Sequence, residues 1–355
     1  MAEVMTVLGP IDASELGKTI SHEHLFIDLS CYLQPPAAGE DPGTYYDPVT
    51  IEALYHLRRD PYGNRDNCIL DDVDLAVREV ELFKKAGGGT IVDVTLVDIG
   101  RNVTALAEVS RRTGVHVLAG LGHYIHSSHP AYVEGMSEQQ LAASFLKEIN
   151  DGIDGTGIKP GIIGEIGTYD PIHPREKKVL RAAARAQMES GLPITVHVHS
   201  PARRGNEVLD ILIGEGVAPE KIVLDHIDVS LAHLDIEFAE AVDYVASLLD
   251  RGANVEFDLC GNSSYFMTSD HQWWMPSDRE RAKALALLCK RGFGGQLMLS
   301  QDVGHKHYLQ SFGGWGYSHV LTDFSHYMRQ AGLDQVTIDR FFIDNPARIL
   351  ARAGS

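Results

Sequence analysis

Short β-branched runs alternate with amphipathic helical patterns along this chain, and that alternation predicts an α/β protein folded as a closed (β/α)8 TIM barrel. Three observations carry the prediction. Eight runs have strand character, and helical patterns separate seven of them, which implies a parallel sheet. Eight such units favour a closed barrel over an open doubly wound sheet. No GxGxxG follows an early strand and opens a helix, so a dinucleotide fold lacks its main signature.

The elements follow in order. Thr19 to His24 is the first strand candidate. Val73, Val77, Val80 and Phe83 recur at three- and four-residue steps and mark one apolar helical face between Asp71 and Ala86. Asp71, Asp72 and Asp74 favour its N-terminal end, Lys84 and Lys85 its C-terminal end, and Gly87 ends it. Ile91 to Thr95 then reads as a strand. Val103, Leu106 and Val109 line the next helix, Gly114 stops it, and Val115 to Leu118 follows. Gly161 to Ile163 is the next run. A helix through Val179, Leu180 and Ala183 leads to Pro193–His199. Ile222 to Leu224, Asn254 to Asp258 and Leu297 to Asp302 complete the set.

The chain reads as one barrel domain over residues 1–355, with a lid-like insertion at about 31–70. That insertion carries five prolines in four turn-like pairs and the aromatics Tyr32, Tyr45, Tyr46, Tyr55 and Tyr62. It is too long for an ordinary βα connection, and such loops are usually lids or binding elements. A second excursion, Cys260 to Pro276, carries Tyr265, Phe266, Trp273 and Trp274. Both would overhang the C-terminal rim of the barrel.

Composition narrows the function. Forty-nine acidic residues against 31 Lys and Arg give a net charge of −18, with no basic cluster to neutralise phosphates, so nucleic acid is not an expected partner. No apolar run approaches a membrane span, and the first residues lack signal-peptide character. Cys31, Cys68, Cys260 and Cys289 lie far apart and read as free thiols of a cytoplasmic protein.

Ligand-type residues recur where strands end. His22 and His24 flank Glu23 in the first strand, so period-two geometry throws both imidazoles to one side. Glu165 ends the fourth strand candidate, His197 lies in the fifth, His226 closes the sixth and Asp302 the eighth. Residues at the C-terminal ends of barrel strands converge at one mouth, where barrel active sites lie. Four imidazoles and two carboxylates suit two borderline divalent ions such as zinc.

The segments SHEHL (21–25), GRN (100–102), GIIGEIG (161–167), HVHS (197–200), LDHID (224–228), LSQD (299–302), GGWGY (313–317) and DNP (344–346) occur in this order. Through them the chain resembles the phosphotriesterase family of the amidohydrolase superfamily over nearly its whole length. The long insertion and GGGTIVD (87–93) make it similar especially to the phosphotriesterase-related, resiniferatoxin-binding-like branch. The resemblance implies a binuclear metal-dependent hydrolase. His22, His24 and Asp302 would hold the buried ion, His197 and His226 the more exposed one, and a carboxylate and a hydroxide would bridge them. Many members bridge with a carbamylated lysine. Here Gly164 occupies that place, Lys159 precedes the strand, and GEIG looks like the version that bridges through Glu165. Since neighbouring strand residues face opposite ways, a local twist must turn Glu165 inward, or it serves as a partner to a ligand histidine.

In this reading Asp302 takes the proton from the bridging hydroxide and passes it to the leaving group. The substrate would be a small ester, lactone or amide, with an N-acyl amino-acid-like compound of N-acetyltaurine type as a specific candidate. Phosphotriester hydrolysis is one alternative, and a non-catalytic ligand-binding protein on the same barrel is another. A homodimer is common in the family. Tyr124 stands where family lactonases point a tyrosine at the metals, and it would equally pack beneath a loop. Leu259 replaces the arginine often found in lactonases. Arg203 or Arg204 would grip an anionic substrate group or form a solvated charged pair, and Trp273 with Trp274 and Trp315 would line an apolar pocket or pack loops. His123, His126, His129, His305 and His307 read as rim residues, and Arg101 as a loop pin.

Overall fold

The computed structural model describes residues 2–33, 35–36, 43–232, 236–267 and 272–352, with backbone alone at Ser200, Tyr265–Met267 and Gln272–Trp273. Eight parallel strands form one sheet in sequence order: β1 (Lys18–Glu23), β2 (Gly88–Asp93), β3 (His116–Leu121), β4 (Ile162–Gly167), β5 (Ile194–His197), β6 (Ile222–Asp225), β7 (Asn254–Phe257) and β8 (Leu297–Leu299). The first and last strands meet at a seam. There the His22 N–H donates to Ser300 Oγ at 3.1 Å and the Asp302 N–H to the His22 carbonyl at 3.3 Å. The result is a nearly closed (β/α)8 barrel, as the alternation predicts.

Helices cover the barrel because their sequences supply one apolar face and explicit ends. The helix α1 (Val73–Lys85) starts where the Asp72 carboxylate accepts from the Asp74 and Leu75 N–H groups, a cap worth about 1 kcal/mol. It buries Val77, Val80 and Phe83, as expected. α2 (Val103–Thr113) stops on Gly114, whose φ of 69° suits a residue without Cβ. α3 (Glu138–Asp151) and α7 (Asp278–Lys290) begin with capping boxes at Ser137 and Ser277, and α4 (Pro174–Ser190) begins with one at His173. α5 (Gly205–Gly214) and α6 (Phe238–Leu249) complete the layer between strands.

Strand register sets the level of the site. Glu23 of β1 pairs with Asp93 of β2, and His197 of β5 with Asp225 of β6, so the polar strand ends share one layer. All six β4 residues, IIGEIG, are buried. The opposite mouth is covered by the antiparallel ribbon Glu3–Thr6 and Gly9–Asp12, where the Val7 N–H donates to the Val117 carbonyl at 2.8 Å.

The 31–70 insertion is fastened over the site mouth rather than left loose. Its last residues, Ile69–Leu70, pair antiparallel with Ile27–Asp28. Lys306 binds Asp66 at 2.5 Å, and the His307 N–H donates to Asn67 Oδ1 at 3.0 Å, which ties the insertion to the loop after β8. No helix among the described residues is long and apolar enough to cross a membrane.

Candidate metal centre

The strand ends bring His22, His24, Glu165, His197, His226 and Asp302 together. His24 Nε2 lies 3.3 Å from Glu165 Oε1 and 3.1 Å from Asp302 Oδ1. His22 Nε2 lies 3.5 Å from Glu165 Oε2 and 3.9 Å from Asp302 Oδ1. The same Glu165 Oε2 is 3.2 Å from His197 Nδ1 and 3.5 Å from His226 Nε2. The two imidazole nitrogens of His197 and His226 converge at 2.8 Å.

Glu165 points inward because β4 breaks its period there. Leu121 of β3 faces both Ile163 and Gly164, and the β4–β5 register slips between Ile163 and Ile166. Gly164 takes a φ of 122°, and a Cβ at that position would run into the Thr195 carbonyl oxygen, so only glycine fits. The Gly164–Glu165 peptide is cis. His226 and Asp302 leave their strands at φ 60° and 49°, a left-handed turn that side chains tolerate at a cost of order 1 kcal/mol when surroundings fix it.

Buried acids hold these ligand-type residues in place, and sequence reading did not single them out. Asp258 accepts from the His226 N–H at 2.9 Å and contacts His226 Nδ1 at 3.0 Å. His24 Nδ1 meets Thr95 Oγ1 at 2.8 Å. Glu23 accepts from Ser300 Oγ, the Gln301 N–H and the Val303 N–H, which clamps both sides of Asp302. Asp225 Oδ2, Glu256 Oε2 and Asp258 Oδ2 surround His22 Nδ1 at 3.5, 3.6 and 3.7 Å. The available signal was acids inside otherwise apolar strand runs, as in VEFD (255–258) and VLD (223–225).

The electrostatics suit cations. Burial pushes the Glu165 carboxyl up, yet the surrounding His22, His197 and His226 hold it well below its usual range. Burial likewise opposes charge on Asp302, and His24 and His226 outweigh it. His22 is fully buried with neither ring nitrogen in a hydrogen bond, an orphaned pair that a cation on Nε2 and a carboxylate acceptor on Nδ1 would satisfy. The nitrogen and oxygen donor set fits borderline divalent ions such as zinc.

A cavity of about 640 Å³ opens above these residues. Tyr124 lines it, with its hydroxyl 3.2 Å from His197 Nδ1, and Tyr32 Oη donates to Tyr124 Oη at 3.0 Å. Leu259 is on the same wall. Arg203 is not among the lining residues: its guanidinium lies over the Tyr244 ring, 5.1 Å from the centroid. Arg204 pairs with Asp170 at 2.7 Å. The Trp273 side chain lies outside the described residues, and Trp315 stacks on Tyr308 at 4.4 Å. His123, His129, His305 and His307 are buried, and His126 and His305 line the cavity. Arg101 does pin its loop, donating to the Gly120 carbonyl and pairing with Glu148.

Fold and site together define a barrel hydrolase whose chemistry is gathered at the C-terminal strand ends. Residues 2–350 match the sequence profile of the phosphotriesterase family, and the chain belongs to that family. It is 38% identical over 345 residues to an N-acetyltaurine hydrolase of Tetraodon nigroviridis, covering 97% of this chain and 96% of the relative. A resiniferatoxin-binding protein from Rhodobacter sphaeroides superposes with a TM-score of 0.93 at 38% identity, covering 100% of this chain and 97% of that one. The phosphotriesterase homology protein of Escherichia coli, solved with phosphate in its active site, follows at 0.77 and 30%, covering 95% and 99%. With relatives that hydrolyse their substrates, the chain is a hydrolytic enzyme, which sets aside the non-catalytic reading.

Proposed function

We propose that the chain is a binuclear metal-dependent hydrolase of small carboxylic amides, esters or lactones. His22, His24 and Asp302 would hold one zinc ion, His197 and His226 a second, and Glu165 would bridge them. One observation carries this reading. The Glu165 carboxylate stands among all four imidazoles, with Oε1 3.3 Å from His24 and Oε2 3.2 Å from His197 and 3.5 Å from both His22 and His226. When bound, two such ions lower the pKa of a water toward about 7 and polarise a substrate carbonyl.

The chain's own residues do the rest. Asp302, 3.1 Å from His24 Nε2 and on the cavity wall, takes the proton from the attacking water and hands it to the leaving group. The Tyr124 hydroxyl, held by Tyr32, orients the substrate oxygen from the His197 side. Leu259 offers apolar contact to the acyl portion. No serine or cysteine nucleophile is needed, so attack is direct.

Similarity to N-acetyltaurine hydrolases favours an acyl amide among these substrates. Phosphotriester hydrolysis is the second reading, favoured by the Escherichia coli relative solved with phosphate in its active site. All four thiols are unpaired, which supports a reducing, cytoplasmic location. The test is metal analysis of the zinc-grown chain and of Glu165→Ala, with assays on matched acetamides, lactones and phosphotriesters. About two ions per chain, falling to one or fewer in the variant, and turnover of a carboxylic substrate are expected. Full loading of the variant, or turnover of phosphotriesters alone, overturns the reading.

A further inference from the structure

The far end of the cavity differs in chemistry from the strand ends. All 31 Lys and Arg residues fall within the described residues, and none lines the cavity. The cations closest in sequence to its loops are engaged elsewhere, Lys306 on Asp66, Arg204 on Asp170 and Arg203 over Tyr244. An anionic substrate group would therefore shed its water against neutral donors only.

Away from the strand ends, the one carboxylate among the described lining residues is Asp60, set among aromatic faces. Asp60, in the insertion, lines the cavity half-buried, and its Oδ1 accepts the Tyr62 N–H at 3.2 Å. Burial raises its carboxyl from the usual range, the Tyr62 and Gly63 N–H groups work against that rise, and no cation does, which leaves room for a positive partner. Beside it the rings form a continuous row. Tyr62 is 5.0 Å from Tyr32 and 5.1 Å from His305, and His305 is 5.1 Å from Tyr308. Aromatic faces with a carboxylate recognise an ammonium group. The chain's net charge of −18 favours the approach of a cation over that of an anion.

Building on the hydrolase reading above, we propose that the substrate carries a positively charged ammonium group at the end remote from its scissile carbonyl, bound by Asp60 with Tyr32, Tyr62 and Tyr308. The substrate class is an N-acylated diamine or a close relative. Water adds to the carbonyl carbon, the amide C–N bond breaks, and a carboxylate and a diamine protonated at both ends are released.

The test is a set of N-acetyl amides that share one ethylene spacer and end in an ammonium, a hydroxyl or a sulfonate. Expected kcat/KM falls in that order, with about tenfold or more between ammonium and sulfonate. Asp60→Asn should shrink the ammonium-to-hydroxyl ratio mainly through KM. Tyr62→Leu should shrink it too, whereas Tyr62→Phe, which keeps the ring, should preserve it. A sulfonate amide hydrolysed as well as the ammonium amide overturns the proposal while leaving the hydrolase reading intact. If the zinc-loaded chain hydrolyses none of the three, the hydrolase reading is at fault. Calorimetry then decides this proposal, using methyl ketones in which a methylene replaces the amide nitrogen. Tighter binding of the ammonium ketone than of the sulfonate one upholds it, and equal or reversed affinity overturns it.

Discussion

The floor and the roof of the cavity are built on different principles. On the floor, six imidazole and carboxylate side chains stand on barrel strand ends, and buried partners hold most of them. Asp258 holds His226, Thr95 holds His24, and Glu23 fixes the backbone on both sides of Asp302. The roof comes from the 31–70 insertion, which sends Tyr32 and Tyr62 into the cavity while Tyr46 and Tyr55 face solvent. The floor is over-determined and suits chemistry that tolerates little displacement. The roof is fastened at Ile69–Leu70, Asp66 and Asn67, outside the strand ends, and its aromatic lining is placed to set which substrate enters.

Perturbing the floor should therefore cost more than perturbing the roof. Asp302→Asn should lower kcat by about 10²- to 10⁴-fold with little change in the far-ultraviolet dichroism of the fold. A loss below tenfold would move the proton-transfer role to another group. Asp258→Asn removes the acceptor for the imidazole of His226, and competition with a chelator should show metal affinity down about 10- to 100-fold. Unchanged affinity there would mean the floor is less dependent on its buried acids than its geometry implies. Tyr32→Phe deletes the hydroxyl that donates to Tyr124, a net hydrogen bond of about 1 kcal/mol, so kcat/KM should drop by about fivefold with metal content intact. If metal content fell as well, the division between floor and roof would be wrong. Arg203→Ala should change KM for anionic and neutral substrates equally, within about twofold, because a cation held over Tyr244 contributes about 0.5–1 kcal/mol to local packing and nothing to the cavity.

The floor was largely legible in the sequence and the roof was not, for physical reasons. Strand periodicity and βα spacing alone place His22, His24, His197, His226 and Asp302 at one mouth. Glu165 showed as an off-register acid. What turns it inward, the β4 bulge at Gly164, depends on contact with Leu121 and Thr195 from neighbouring strands and leaves no local trace. Asp225, Glu256 and Asp258 were overlooked because each acid seemed an ordinary strand residue until all three met at His22. Arg203 stayed open between two readings for a similar reason, since nothing local says that its turn aims the guanidinium at the Tyr244 ring. The insertion has no period at all, so its role as a cover could be expected from length and aromatic content, but not which tyrosines enter.

Glu23 binds the last barrel strand's exit, and its neighbours His22 and His24 face Asp302 across the seam, some 280 positions along the chain. Closing the barrel and assembling the centre are consequently a single event. A chain lacking the Asp302 strand end lacks both, so the early histidines alone would offer an ion only part of its cage. Cation binding would then report closure of the whole barrel rather than the folding of any early segment.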